Sequence, residues 1–156
     1  MNGNDGKVAG QAYGISQPTG QWTTGLCGCF EDPGNCFMTW CCPCVTFGER
    51  AEVLDGGTTS CCAAGCIYCI MGSCAYMYTH TYRAKLRGLY SLPEEPCSDC
   101  CVHCWCAACA NCQEHRELKN RGVDPSAGWQ ANAEKMNRQG GGVVSTPPYF
   151  APGMAR

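Results

Sequence analysis

Eighteen cysteines in 156 residues decide which chemistry has to be considered first. Thiols at that density serve as disulfides, as soft-metal ligands or as small buried apolar groups. The densest run is Cys27, Cys29, Cys36, Cys41, Cys42 and Cys44. It is as crowded as a structural zinc site, although its spacing is not the usual paired C-x-x-C arrangement. A second group mixes donor types. At about 100° per residue, Asp99, His103, Cys106, Gln113 and Glu117 fall on one strip of a helix, which puts carboxylate, imidazole and thiol side by side. Carboxylate plus imidazole is of intermediate softness and suits a site that takes up zinc and releases it, whereas an all-thiolate site holds it. Asp99 and His103 are therefore predicted to form a transient zinc or cadmium site assisted by Cys100 or Cys106, and Cys41, Cys42 and Cys44 to be structural. The competing reading of Asp99 and His103 is an ordinary i,i+4 surface pair.

The elements that must position these groups follow from hydropathy. Residues 36–47 are apolar but contain Pro43, and they are too short to cross a hydrocarbon core of roughly 30 Å, so they read as a Pro-broken entry segment. Residues 61–82 contain no Asp, Glu, Lys, Arg or Pro and have the length of a transmembrane helix. Arg83, Lys85 and Arg87 follow directly and place its end on the cytosolic side. On that helix Cys62, Cys66, Cys69, Ser73, Tyr76 and His80 form one strip, predicted to face protein or an ion path rather than lipid. Residues 97–121 read as a cysteine-rich helix stopping near Gly122, with Cys97, Cys101, Cys104, Ala108 and Cys112 on its packing side. The fold class expected is an all-α membrane protein of short helices. Its parts are a disordered tail over 1–22, a cysteine-rich membrane domain over 23–135 and a disordered tail over 136–156.

Composition limits function as well. A formal net charge of -2 supplies no field to recruit nucleic acid. No signal peptide and no phosphate-binding loop is evident, so the N-terminal tail is expected in the cytosol, ATP is not expected as an energy source, and no enzyme is predicted. Two spans from one chain cannot easily enclose an ion path, which makes a symmetric homo-oligomer part of any transport reading.

The stretches CysCysProCys at 41–44 preceded by Cys36, CysCysAlaAlaGly at 61–65 and GlnGluHisArgGluLeu at 113–118 resemble the cysteine-rich placenta-specific 8 domain of plant cadmium resistance proteins and cell number regulators. ThrThrGlyLeuCysGlyCysPhe at 23–30 and GlyTrpGlnAlaAsnAlaGluLys at 128–135 extend the likeness over nearly everything after the first twenty residues. The resemblance implies a multi-pass plasma-membrane protein that exports zinc or cadmium and so confers heavy-metal resistance. It carries site roles onto Cys41, Cys42, Cys44, Cys97, Asp99, Cys100, His103, Cys106 and Cys109, with zinc or cadmium as the transported and structural ion and the bilayer as partner. The alternative it offers is a membrane-associated, metal-stabilised regulator of cell number without transport activity.

Overall fold

The computed structural model describes residues 20–140. Among them there are helices and no strands. After a 3-10 turn at Cys29–Glu31 come α1 (Pro33–Cys41), α2 (Pro43–Leu54), α3 (Cys61–Met71), a second 3-10 turn at Gly72–Cys74, α4 (Tyr76–Tyr90), α5 (Asp99–Asn120), a third such turn at Pro125–Ala127 and α6 (Gly128–Gly140). Most of the tails expected at either end lie outside the described residues.

Local chemistry accounts for most boundaries. Asp32 caps α1 by accepting a hydrogen bond from the Asn35 N–H at 3.1 Å, and Pro33 occupies the first helical position, where a missing N–H costs nothing. Pro43 starts α2 in the same way, so the apolar run 36–47 is divided between two helices. Ser60 caps α3 and Ser98 caps α5 through their hydroxyls. Glu52 serves two helices at once, since its oxygens accept from the N–H of Cys61 and from that of Trp129, each at 3.0 Å. One carboxylate thus ties the starts of α3 and α6 to α2.

The expected transmembrane helix over 61–82 is not present, and the membrane protein predicted from it is not supported. The helix breaks at Gly72, whose φ of 51° and ψ of -118° lie where side chains are disfavoured. The 11 residues of α3 span about 16 Å, half of what a bilayer core requires. After the break α4 turns Tyr82, Arg83 and Leu86 inward. No helix among the described residues is long and apolar enough to cross a membrane. The homo-oligomer was expected because two spans would need copies to enclose a path, and the broken helix removes that premise. The entry segment 36–47 and the cysteine-rich region 97–121 are helical as expected.

What holds the helices is an apolar cluster of Phe47, Ala51, Leu54, Ala64, Tyr82, Leu86 and Tyr90 joined by Leu118 and Val123. The Phe47 ring lies 5.4, 5.3 and 5.2 Å from those of Tyr68, Tyr78 and Tyr82, the last pair edge to face. Close approach of α2 and α3 depends on two glycines. A Cβ on Gly48 would collide with the Cys61 carbonyl oxygen, and one on Gly65 would stand 3.0 Å from the Cys44 carbonyl oxygen.

Candidate functional site

All 18 cysteines are free thiols. The first cluster of the sequence does not form one site, because its members separate. Cys29 and Cys36, from the first 3-10 turn and α1, meet Cys112 of α5; Cys36 stands between the other two, and the Thr39 hydroxyl adjoins Cys112. Cys109, one helical turn before Cys112, adds a fourth thiol beside Cys27 and Cys29. Cys36 and Cys112 are buried, with 9% and 1% of their surface exposed. Burial, and after it the neighbouring thiols, pushes the Cys109 thiol up to about 11. The Cys36 thiol is raised by the same two causes.

Cys44 goes elsewhere. It adjoins Cys69 across the α2–α3 contact, with Cys66 one turn from Cys69. Cys41 and Cys42 are exposed, as are Cys62, Cys66 and Cys69, so the strip drawn on a continuous 61–82 helix faces outward on α3. His80, its far end, lies beyond the break and its Nδ1 bonds its own helix at the Tyr76 carbonyl, 2.9 Å away. Cys97 and Cys101 adjoin at the start of α5, and Cys100 is exposed.

Asp99 and His103 are buried and fully engaged by protein. Asp99 accepts two bonds from Arg87, from Nε at 2.9 Å and from Nη2 at 2.6 Å, with Arg83 Nε 3.4 Å away. His103 sits between the Thr79 hydroxyl, 3.0 Å from Nδ1, and Glu114, 2.8 Å from Nε2. The strip that joined them to Cys106 and Gln113 assumed a straight helix. In the structure α5 bends at Cys106, where φ is -136° and ψ 52°, and Cys106 is exposed at the bend.

These groups belong to a buried polar network centred on Glu114. Glu114 receives Arg50 at 3.0 Å and Arg83 at 3.2 Å, all three side chains wholly buried. Burial alone would raise the Glu114 carboxyl; the charges of Arg50, His103 and Arg83 outweigh it and hold it at about 2. Arg50 also donates to Asn111, Arg83 to Gln113, and Arg83 lies over the Trp22 ring with 4.3 Å to its centroid. Glu117 accepts from Thr23, Thr24 and Arg121 and so fastens the N-terminal segment to α5. The 113–118 motif is therefore structural. Its charges cost desolvation that the ion pairs with Arg50 and Arg83 offset, and that pairing joins α2, α4 and α5, although Arg50 Nε and Asn111 Nδ2 have no hydrogen-bond partner.

Among the described residues, no three His, Cys, Asp or Glu side chains converge closely enough to enclose a metal ion as they stand. The nearest to a donor set is Cys29, Cys36, Cys109 and Cys112, all sulfur and free of competing ion pairs, which suits a soft cation once the thiols swing together. Sequence reading assigned Cys112 to packing. Spacing could not have singled it out, since Cys109 and Cys112 are one of six C-x-x-C pairs in the chain.

Fold and thiols together define a small helical protein with cysteine-rich surfaces and a charge-paired interior. The sequence profile of the PLAC8 family matches residues 22–117, and the chain belongs to that family. It is 57% identical over 120 residues to cell number regulator 4 of Zea mays, covering 72% of this chain and 76% of that protein. Identity is 52% with cell number regulator 7 of the same plant, over 87% and 79% of the two chains. With plant cadmium resistance protein 1 of Arabidopsis thaliana it is 49%, over 94% and 98%. No solved structure matches the chain with significance.

Proposed function

We propose that this protein captures zinc or cadmium on cysteine thiolates, with Cys29, Cys36, Cys109 and Cys112 as its principal site, and contributes to metal resistance through that capture. The observation that carries the reading is that Cys36 meets both Cys29 and Cys112, with Cys109 one helical turn from Cys112 and none of the four in a disulfide. Sulfur donors select zinc and cadmium over calcium and magnesium. Binding displaces thiol protons, so uptake is coupled to proton release. The names of several relatives refer to cadmium resistance, which agrees with a soft-metal role.

Export from the cell, the finer activity expected from the resemblance, would take this capture as its first step and would need partners able to cross a membrane. We assign this chain the capture step alone.

The test is a titration of reduced, metal-free full-length protein with cadmium, read by the thiolate-to-metal charge-transfer absorbance and by metal retained after gel filtration. Cys36→Ser with Cys112→Ser should abolish the tightest phase, while Cys41→Ser with Cys42→Ser should leave it in place. Retention of the tight phase by the first variant would move the site elsewhere. If wild type binds no more cadmium than alkylated protein does, capture fails and a scaffold for regulating cell number, as in the maize relatives' names, takes its place.

A further inference from the structure

A second group of thiols stands apart from the principal site, on the contact between α2 and α3. Gly65 brings the two helices so close there that a Cβ on it would lie 3.0 Å from the Cys44 carbonyl oxygen and 3.9 Å from the Cys44 Cβ. Cys69 follows one helical turn later. Side chains on a helix lean toward its N-terminus, so the Cys69 thiol is carried back over Gly65 and against Cys44. The two thiols share a hydrogen bond. Cys66, three residues before Cys69 on the same face of α3, is the next thiol to act on it. Cys66 and Cys69 are exposed and Cys44 is partly so, which leaves all three open to a solute.

The number of donors and their protonation indicate the ligand. Structural zinc sites take four donors, and this group supplies three. Cys61 also lies near Cys44, but it is eight residues from Cys69, about 12 Å along the axis, and cannot join the set. α3 carries no charged side chain that would draw a cation. The hydrogen bond with Cys44, and after it desolvation, raises the Cys69 thiol, so a cation would have to displace a firmly held proton. Trivalent arsenic avoids that cost. In water it is arsenous acid, a neutral hydroxide; it is soft, and it takes three sulfur donors in a pyramid. As they stand the three thiols do not enclose an ion. Cys44 and Cys69 are already paired, and rotation of the exposed Cys66 about χ1 closes the set.

We propose that Cys44, Cys66 and Cys69 bind trivalent arsenic, at a site separate from the one that captures zinc or cadmium. Each thiol displaces one hydroxyl: an arsenic–oxygen bond breaks, an arsenic–sulfur bond forms, and the thiol proton leaves with the hydroxyl as water. Arsenic stays trivalent throughout, so no oxidant or reductant takes part. No proton passes to the solution, in contrast to cadmium uptake. Of the other thiols in contact, Cys36 and Cys112 are buried, and Cys97, beside Cys101, precedes α5 instead of standing on a packed helix.

The probe is arsenite alone, added in increasing amounts to reduced full-length protein at neutral pH. In native mass spectra the first adduct should show one arsenic gained and three hydrogens lost, and maleimide mapping at that stage should find Cys44, Cys66 and Cys69 protected. Cys66→Ser should convert it to an adduct with two hydrogens lost and one hydroxyl kept. Cys44→Ser and Cys69→Ser should each weaken arsenite at least about tenfold. Cys41→Ser with Cys42→Ser, which removes two other exposed thiols, should leave the affinity in place. An indicator dye should register no acid on arsenite addition, whereas cadmium should release it. First-equivalent protection at Cys97 and Cys101 or at the principal site, a wild-type adduct with only two hydrogens lost, or an unchanged affinity in both Cys44→Ser and Cys69→Ser would each overturn the proposal. The mapping on wild type decides the matter even if a variant fails to fold. Arsenite binding without cadmium capture would leave this site standing while the metal reading fell, so the two fail separately.

Discussion

His103 Nε2 lies 2.8 Å from Glu114 Oε1, although the two residues are eleven apart on one helix. In a straight helix that separation is about 16 Å along the axis, far beyond the reach of either side chain. The bend at Cys106 brings them together. No Gly or Pro occurs between residues 99 and 120 to cause it, so its cause is tertiary: Glu114 is held by Arg50 and Arg83 while Asp99 is held by Arg87. Glu114→Gln keeps the shape but leaves Arg50 buried without a counter-charge and Arg83 with Asp99 alone, 3.4 Å from its Nε. It should cost about 3–5 kcal/mol of stability in denaturant unfolding. A loss below about 1 kcal/mol would mean that the network is open to water.

Acid should destabilise the protein in two overlapping windows. His115 accepts a proton near pH 4 in the folded state and near 6.5 when unfolded, so between those values only the unfolded chain takes it up and stability falls as pH drops. Glu114, held at about 2 against 4.5 unfolded, contributes stability that is complete above about pH 4.5 and lost as pH falls to about 2. Each amounts to about 3 kcal/mol at most. His115→Gln should therefore flatten the stability profile between pH 6.5 and 4 while leaving the steeper acid limb. An unchanged slope across that range would show that His115 titrates normally.

Gly48→Ala should loosen the α2–α3 contact, because the added methyl meets the Cys61 backbone rather than a side chain that could swing away. Overpacking of this kind costs about 1–3 kcal/mol. Gly88→Ala, where a Cβ meets nothing within 4 Å, is the control and should be neutral or slightly stabilising in the same thermal melts.

Alkylation of the native protein should divide the thiols by burial. Cys41, Cys42, Cys62 and Cys100 should react rapidly with a maleimide, and Cys36 and Cys112 only after unfolding. Adding cadmium first should slow Cys29 and Cys109 more than Cys41 or Cys42. Mass mapping that found Cys41 the better protected would shift the metal site toward the 41–44 run.

By itself the sequence determined the helical class, the helix starts near residues 61 and 97, and the family. These are local properties. Asp32, Ser60 and Ser98 cap through hydrogen bonds to backbone three residues away, Pro43 splits its apolar run wherever the chain folds, and family likeness is carried by the order of residues. The tertiary structure decided what each charged or thiol side chain faces. Residues 61–82 read as one apolar span because hydropathy averages over Gly72, which only the packed helices commit to a positive φ. Arg50 reads as a surface charge until Asn111 and Glu114, more than sixty residues away, surround it. Cys36 and Cys112 become neighbours only when α1 crosses α5. Such partners are chosen by a fold that removes water from both at once, and spacing along the chain carries no record of that desolvation.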